Sequence, residues 1–248
     1  MQTLLGKHWH HLPADEVIQL LETNPQSGLD IFAVKHRQED LGRNELTPRA
    51  GMSPWMRFLH QFKNPLIYIL LVATVITAFV KDLVDAGIIF AAVLVNAVIG
   101  FIQESRAEQA IEALAQAMTT EATVIRAGKT QRISATELTL GDVVTLKAGD
   151  KVPADLRLIR SRDLQVAEAA LTGESVPVQK DGGLLLPLDT SLADRRNMAY
   201  ASTLVTYGTG VGIVTAIGDY TEVGRISQLI SSAPELQTPL TRNIAQFS

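Results

Sequence analysis

Two uncharged apolar runs, five residues apart, constrain this chain more than any other feature. No charged side chain occurs for 17 residues from Asn64 to Val80, nor for 18 residues from Ala86 to Gln103. As helices rising ~1.5 Å per residue they reach ~25–27 Å, the lower edge of what crosses a ~30 Å hydrocarbon core. The first run holds Leu66, Ile67, Ile69, Leu70, Leu71, Val72, Val75, Ile76, Phe79 and Val80. At roughly −0.3 to −0.6 kcal/mol each, these contribute about −3 to −6 kcal/mol toward insertion. Thr74 and Thr77 oppose them only weakly, because their hydroxyls can bond back to the helix. A chain of 248 residues can hardly bury two helices that are apolar all round, so both read as membrane spans. The connector Lys81-Asp82-Leu83-Val84-Asp85 is short and predicts an antiparallel hairpin. Arg49, Arg57 and Lys63 precede it and Arg106 follows it, so both ends are expected on the cytoplasmic side and the connector outside. The N-terminus has no early apolar stretch with a cleavage site, so no signal peptide is expected. Asn96, the polar interior residue of the second run, reads as a hydrogen bond to a neighbouring helix.

Composition narrows the classes further. Charged residues make up 19% and the mean hydropathy is +0.15, which excludes a disordered chain. With 22 basic against 26 acidic residues, no global basic excess exists to bind nucleic acid. Cysteine is absent, which excludes disulfide scaffolds, thiolate zinc sites and cysteine nucleophiles.

Residues 1–63 read as a small helical region. Leu12-Pro13-Ala14-Asp15-Glu16 is a helix start, and a second helix is expected from Asp30 to Gly42 with Ile31, Val34 and Leu41 on its buried side. His8-Trp9-His10-His11 has no further ligand at a suitable spacing and reads as a surface segment rather than a metal site. After the second run, Ala107, Ala110, Ile111, Leu114, Ala115 and Met118 repeat at helical spacing, predicting a rigid amphipathic stalk over 104–121. From Ala122 to Gly218 the pattern is short β segments broken by Gly, Asp and Pro, which predicts a compact barrel or sandwich. Val124–Arg126 and Gln131–Ile133 flank a turn at Gly128-Lys129. Strands are expected at 143–146, 156–159, 164–166 and 211–214. Thr221-Glu222 opens a last amphipathic helix through Ile226, Leu229 and Ile230.

Gly208-Thr209-Gly210-Val211-Gly212 lacks the strand-loop-helix context of a phosphate loop and reads as turn and bulge glycines. The informative stretch is Leu171-Thr172-Gly173-Glu174-Ser175-Val176-Pro177-Val178. It is a glycine-hinged loop presenting one carboxylate between two hydroxyls, and such a carboxylate can take a proton from water aimed at an electrophile. On its own it reads first as an exposed loop glutamate.

Three motifs in order change that weighting: Leu140-Gly141-Asp142-Val143-Val144, Gly149-Asp150-Lys151-Val152-Pro153-Ala154-Asp155, and Leu171 to Ser175. Their order and spacing resemble the actuator domain of P-type cation-transporting ATPases. The resemblance covers almost the whole chain. Trp9–Asn44 is similar to the small N-terminal region of these pumps, with Gly28-Leu29 and Gly42-Arg43-Asn44 at typical places. The hairpin resembles the first two membrane helices, Gln103–Ala113 the stalk, and Thr238-Pro239-Leu240 the lead-in to a third. The lack of cysteine points to the calcium, sodium/potassium and proton group rather than to heavy-metal pumps. Ala167 stands where an acidic residue commonly precedes Glu168, and Ser202 where a glycine commonly precedes Thr203.

The resemblance implies an α+β membrane protein: a helical N-terminal region (1–63), a transmembrane hairpin (64–103, spans 64–80 and 86–103), a stalk (104–121), a cytoplasmic β-barrel or jelly-roll-like actuator domain (122–218), and a final helix and lead-in (219–248). It implies a multi-pass protein of the cell membrane with both termini cytoplasmic. Glu174 would activate the water that hydrolyses an aspartyl-phosphate, with Thr172 and Gly173 shaping the loop. No Asp-Lys-Thr-Gly-Thr phosphorylation motif is present, so the expected relation is to the N-terminal quarter to third of a pump. This chain then binds no cofactor itself, and ATP and Mg2+ belong to the parent. The implied partners are the lipid bilayer, the phosphorylation and nucleotide domains, further membrane helices and an unspecified cation. Two other readings compete: a non-catalytic, membrane-anchored β module that binds or regulates a partner, and a soluble hydrolase using Glu174 directly.

Overall fold

The computed structural model describes residues 4, 7–47, 53–62, 65–80, 83–117 and 120–232. Arg49, Lys63, the connector residues Lys81 and Asp82, and Thr238-Pro239-Leu240 lie outside them. The described residues form two compact units, one up to Thr47 together with those from Thr120 onward, the other between Pro48 and Met118.

In the first unit, α1 (Ala14–Leu20) starts after Pro13, and α2 (Ile31–Leu41) starts at Asp30, whose side chain accepts the Ala33 N–H at 2.6 Å. Gly42 ends α2 with φ 80°. The buried side of α2 is the expected one at Val34 and at Leu41, which packs against the core, but not at Ile31. Ile31 is 74% exposed, while Val34 and Arg37 are buried. Arg37 takes that place because its guanidinium donates to the Leu140 carbonyl at 2.9 Å, a bond that a periodicity of apolar residues cannot register.

The strands β1 (Glu121–Arg126), β2 (Lys129–Ser134), β3 (Val143–Lys147), β4 (Asp155–Ala167), β5 (Val178–Gln179), β6 (Met198–Ala199) and β7 (Leu204–Ala216) make one antiparallel sheet. Its order is β2-β1-β3-β7-β4-β5, with β6 also paired to β4. The β1–β2 hairpin turns at Ala127-Gly128, both at positive φ, one residue before the expected turn. Segments 156–159 and 164–166, expected as separate strands, are one 13-residue strand whose register against β7 shifts at bulges. Gly208 sits at one of them: a Cβ there would lie 2.2 Å from the Asp163 carbonyl oxygen. The glycine-rich stretch is therefore the interior of β7 and no phosphate loop.

The expected barrel is not closed. Among the described residues no pairing joins β2 to β5; β2 is mostly exposed and β5 has two residues, too little edge to complete a ladder. The open sheet is covered on one face and over part of the other. One carries Val124, Val144, Leu146, Leu156, Leu158 and Val214 in a continuous core. The other carries Val143 and Ile213, packed with Trp9, Leu12, Val17 and Leu21 of the N-terminal region. Trp9 and His10 are thus buried, contrary to a surface reading, and the His10 ring contacts the Leu188 carbonyl at 3.1 Å. Arg157, 1% exposed, ties the layers together by donating to the carbonyls of Leu158, Gly182, Asn197, Leu12 and Leu184. Asn44 donates to Ala135 and Pro153 and accepts from the Gly218 N–H, which gives the Gly42-Arg43-Asn44 motif its structural meaning. After a 3-10 turn at Gly218–Tyr220, α7 (Glu222–Ser232) leaves the sheet.

The second unit consists of α3 (Pro54–Gln61), α4 (Pro65–Phe79) and α5 (Leu83–Ala117). Residues 83–85, expected in the connector, already belong to α5, and the same helix runs through the expected stalk as far as Ala117, whereas Glu121, expected at the end of the stalk, opens β1; Met118 and Thr119 lie outside the described residues. Leu83–Ala107 is long and apolar enough to cross a membrane, and only 17% of its most apolar window is buried, unlike the core helix of a soluble protein. α4 has 15 residues, or ~22 Å, short of a ~30 Å core. The two helices are in contact, with Ile67, Val93 and Ala97 buried. The Thr74 hydroxyl donates back to the Leu70 carbonyl at 2.8 Å, as expected. Asn96 is exposed on α5.

Candidate functional site

Between β4 and β5 the chain leaves the sheet and returns to it. Val166 pairs with Val178 and Gln165 with Gln179, so the intervening residues form a loop on a two-stranded base. Its first part is the single helical turn α6 (Ala169–Thr172). Glu168 organises that turn through its backbone. Its carbonyl accepts from the Leu171 N–H at 2.8 Å, the Thr172 N–H at 3.0 Å and the Thr172 hydroxyl at 3.1 Å. Gly173 closes the turn at φ 77°, ψ −3°, with its N–H donating to the Ala169 carbonyl. This left-handed conformation disfavours residues with a Cβ. The Thr172 hydroxyl then accepts the Glu174 N–H at 3.3 Å. Leu171 anchors the turn against the core shared with the N-terminal region.

Beyond Gly173 the loop stands in solvent. Glu174, Ser175, Val176 and Pro177 are all exposed, Val176 by 74%. Among the described residues, no hydrogen bond or ion pair engages the Glu174 carboxylate. The structure therefore brings Thr172, Gly173 and Glu174 together at one loop tip, and among the described residues no hydrogen bond or ion pair joins the Glu174 carboxylate to a second acidic or basic side chain. Such a tip can accept a proton from water only where another surface presents the electrophile.

Under the loop lies a feature that motif reading missed. Lys180 Nζ stands 2.6 Å from Glu168 Oε1, and both side chains are fully buried. The Lys180 ammonium also lies 5.6 Å from the centre of the buried Tyr200 ring. Burial pushes the Glu168 carboxyl up and the Lys180 ammonium down, while each charge pulls its partner the other way. A signal did exist in the sequence. Leu164, Val166 and Glu168 alternate on one face of a strand, as do Val178 and Lys180, so two opposite charges end two apolar stripes.

A cavity of about 710 Å³ is lined by Thr145, Lys147, Arg160, Arg162, Asp181 and Thr209 among others and by none of the loop residues. The geometry and chemistry of the loop, not cavity size, select the site. Among the described residues no cluster of three or more His, Asp or Glu is placed to hold a metal ion.

Residues 116–231 match the family described as the P-type ATPase actuator domain, and residues 9–77 that described as the cation transporter/ATPase N-terminus. The chain is 52% identical over 246 residues to the cation-transporting ATPase pma1 of Synechocystis, covering 99% of this chain and 27% of that protein. It is 42% identical to calcium-transporting ATPase 1 of Bacillus cereus over 96% of this chain and 27% of that protein. The calcium-transporting ATPase of Bacillus subtilis is 40% identical over 96% of this chain and 27% of its own length. The chain thus spans about a quarter of the length of these relatives.

Proposed function

Because this chain belongs to the P-type cation-transporting ATPases, we propose that its loop tip supplies the hydrolytic carboxylate of an ATP-driven cation pump. Glu174 accepts a proton from a water molecule. The water oxygen forms a new bond to the phosphorus of an aspartyl-phosphate presented by the rest of the pump. The bond from phosphorus to the aspartate oxygen breaks, which releases phosphate and restores the aspartate carboxylate. Attack of this kind needs an in-line water and positioning more than covalent help. Thr172 and Gly173 hold the turn from which Glu174 projects. The single observation that supports this reading is the exposed carboxylate, unengaged among the described residues, on a hydrogen-bonded turn, built to act on a partner surface. The matches to both the N-terminal and the actuator families favour the pump over a free-standing β module.

The proposal extends to the membrane. α4 and α5 form a hairpin through the bilayer with the actuator domain and both ends of the chain on the cytoplasmic side. ATP and Mg2+ are handled by the phosphorylation and nucleotide domains of the parent, and the transported cation is bound by later membrane helices. The chain has no cysteine, so single cysteines at Leu83 and Thr130 report topology directly. An impermeant thiol reagent outside should label the first and spare the second; equal labelling of both refutes the hairpin.

The catalytic test is Glu174→Gln in the full-length pump. It keeps size and hydrogen bonding but removes the basic carboxylate. General-base assistance is worth ~10²–10⁴-fold, or about 3–5 kcal/mol of barrier. Phosphoenzyme should form from ATP at the normal rate and decay slower by that factor. Unchanged decay refutes the role of Glu174.

A further inference from the structure

We propose that Glu168 and Lys180 are positioning residues that set the pose of Glu174 through Thr172. The inference rests on the reading of Glu174 given above and goes beyond it to two side chains that are themselves fully buried.

The contacts form one continuous chain. Lys180 Nζ is 2.6 Å from the Glu168 carboxylate. The Glu168 carbonyl accepts the Thr172 hydroxyl at 3.1 Å, and that hydroxyl accepts the Glu174 N–H at 3.3 Å. The two charges also sit at the two legs of the loop. Glu168 follows the last residue of β4, and Lys180 follows the last residue of β5, where its N–H donates to the Leu164 carbonyl at 2.8 Å. Their ion pair therefore closes the neck of a loop that otherwise hangs on the short β4–β5 ladder.

A buried ion pair is poor evidence for stability, since a well-packed apolar pair of similar volume often serves as well or better. What apolar side chains lack is a charge that must stay beside its partner: among the described residues no hydrogen bond serves the Glu168 carboxylate or the Lys180 ammonium, so each depends on the other. A Lys–Glu contact at 2.6 Å fixes where residue 168 stands, and with it the carbonyl on which Thr172 hangs. Two flexible apolar side chains would fill the space but leave the neck free to shift. Catalysis by a positioned carboxylate is sensitive to such shifts, with a displacement of ~1 Å costing up to about 100-fold.

The test separates positioning from folding. In the full-length pump, Lys180→Met and the double variant Glu168→Met/Lys180→Met are compared with Glu174→Gln for phosphoenzyme formation and decay. In this 248-residue chain, the same variants are followed for amide exchange at Glu174 and for resistance to urea. Lys180→Met leaves an unpaired buried carboxylate, so it should lose stability; the double variant should recover it. Both should slow phosphoenzyme decay ~10–100-fold with formation unchanged, and both should speed exchange of the Glu174 amide. Decay at the parent rate in the stable double variant overturns the proposal. Slow decay in Glu174→Gln with normal decay in Lys180→Met also overturns it while leaving Glu174 in its role. Unchanged decay in Glu174→Gln refutes that role and the proposal together.

Discussion

The Leu140-Gly141-Asp142 motif is held by a buried ion pair whose loss should be costly and measurable. Arg126 Nε donates to Asp142 Oδ1 at 2.8 Å and Nη2 to Oδ2 at 2.6 Å. The Asp142 side chain is fully buried and that of Arg126 is 10% exposed. The Thr139 N–H also donates to Oδ2 at 2.9 Å, and Arg126 reaches the Glu137 carbonyl at 2.9 Å. Arg126→Met keeps much of the stem volume but removes both charge-assisted bonds, each worth ~1.5–3 kcal/mol. Among the described residues it leaves the Asp142 carboxylate with the Thr139 N–H as its remaining donor. Breaking such a pair from one side costs about 3–5 kcal/mol, because the survivor is an uncompensated buried charge. The two routes give the same size. The chain has two tryptophans, and Trp9 is buried in the core of this unit while Trp55 lies in the other. In a Trp55→Phe background, Trp9 fluorescence then reports urea unfolding of the sheet unit alone. A loss of less than ~1 kcal/mol for Arg126→Met, the value typical of an exposed pair, refutes the assignment of this contact as a buried tie.

Two more perturbations follow from the same unit. Burial pushes the Asp155 carboxyl up to about 7 from 3.8, against the pull of the Ala201 and Glu222 N–H groups that it accepts. The folded state thus holds a proton that the unfolded chain sheds near pH 4, so this contribution is fully present below pH ~4 and is lost as pH rises through ~7, by at most ~4 kcal/mol. Urea midpoints should fall across that window and flatten in Asp155→Asn; a midpoint that rises instead contradicts the buried-carboxyl assignment. Ser202 has φ 68° and is exposed, so Ser202→Gly should stabilise the unit by ~0.5–1 kcal/mol as the left-handed strain is relieved, net of added chain entropy. Equal or lower stability by urea unfolding refutes that.

Local signals carried much of the architecture. Pro13 and Asp30 mark helix starts because capping is settled within one turn. The β1–β2 hairpin announces itself through Gly128. The apolar run that becomes α5 is legible because length and composition alone decide whether a helix can cross a bilayer. The Thr-Gly-Glu loop was readable for a related reason: Gly173 at φ 77° and the Thr172 cap are local requirements of a tight turn.

What tertiary structure decided is which polar groups leave water. Arg37 takes a buried place on α2 that periodicity assigned to Ile31, because a carbonyl of Leu140, far along the chain, waits there. Trp9 and His10 are buried because the second face of the sheet needs a cover, and no short-range pattern states that need. Whether the sheet closes depends on two edge strands finding each other, which a list of strands does not contain. The same holds at the site. Sequence marks Thr172, Gly173 and Glu174, but the Glu168–Lys180 pair exists only once β4 and β5 are side by side. A buried charge is tolerable only when its partner is brought to it, and bringing residues 168 and 180 together is an act of the fold, not of either segment.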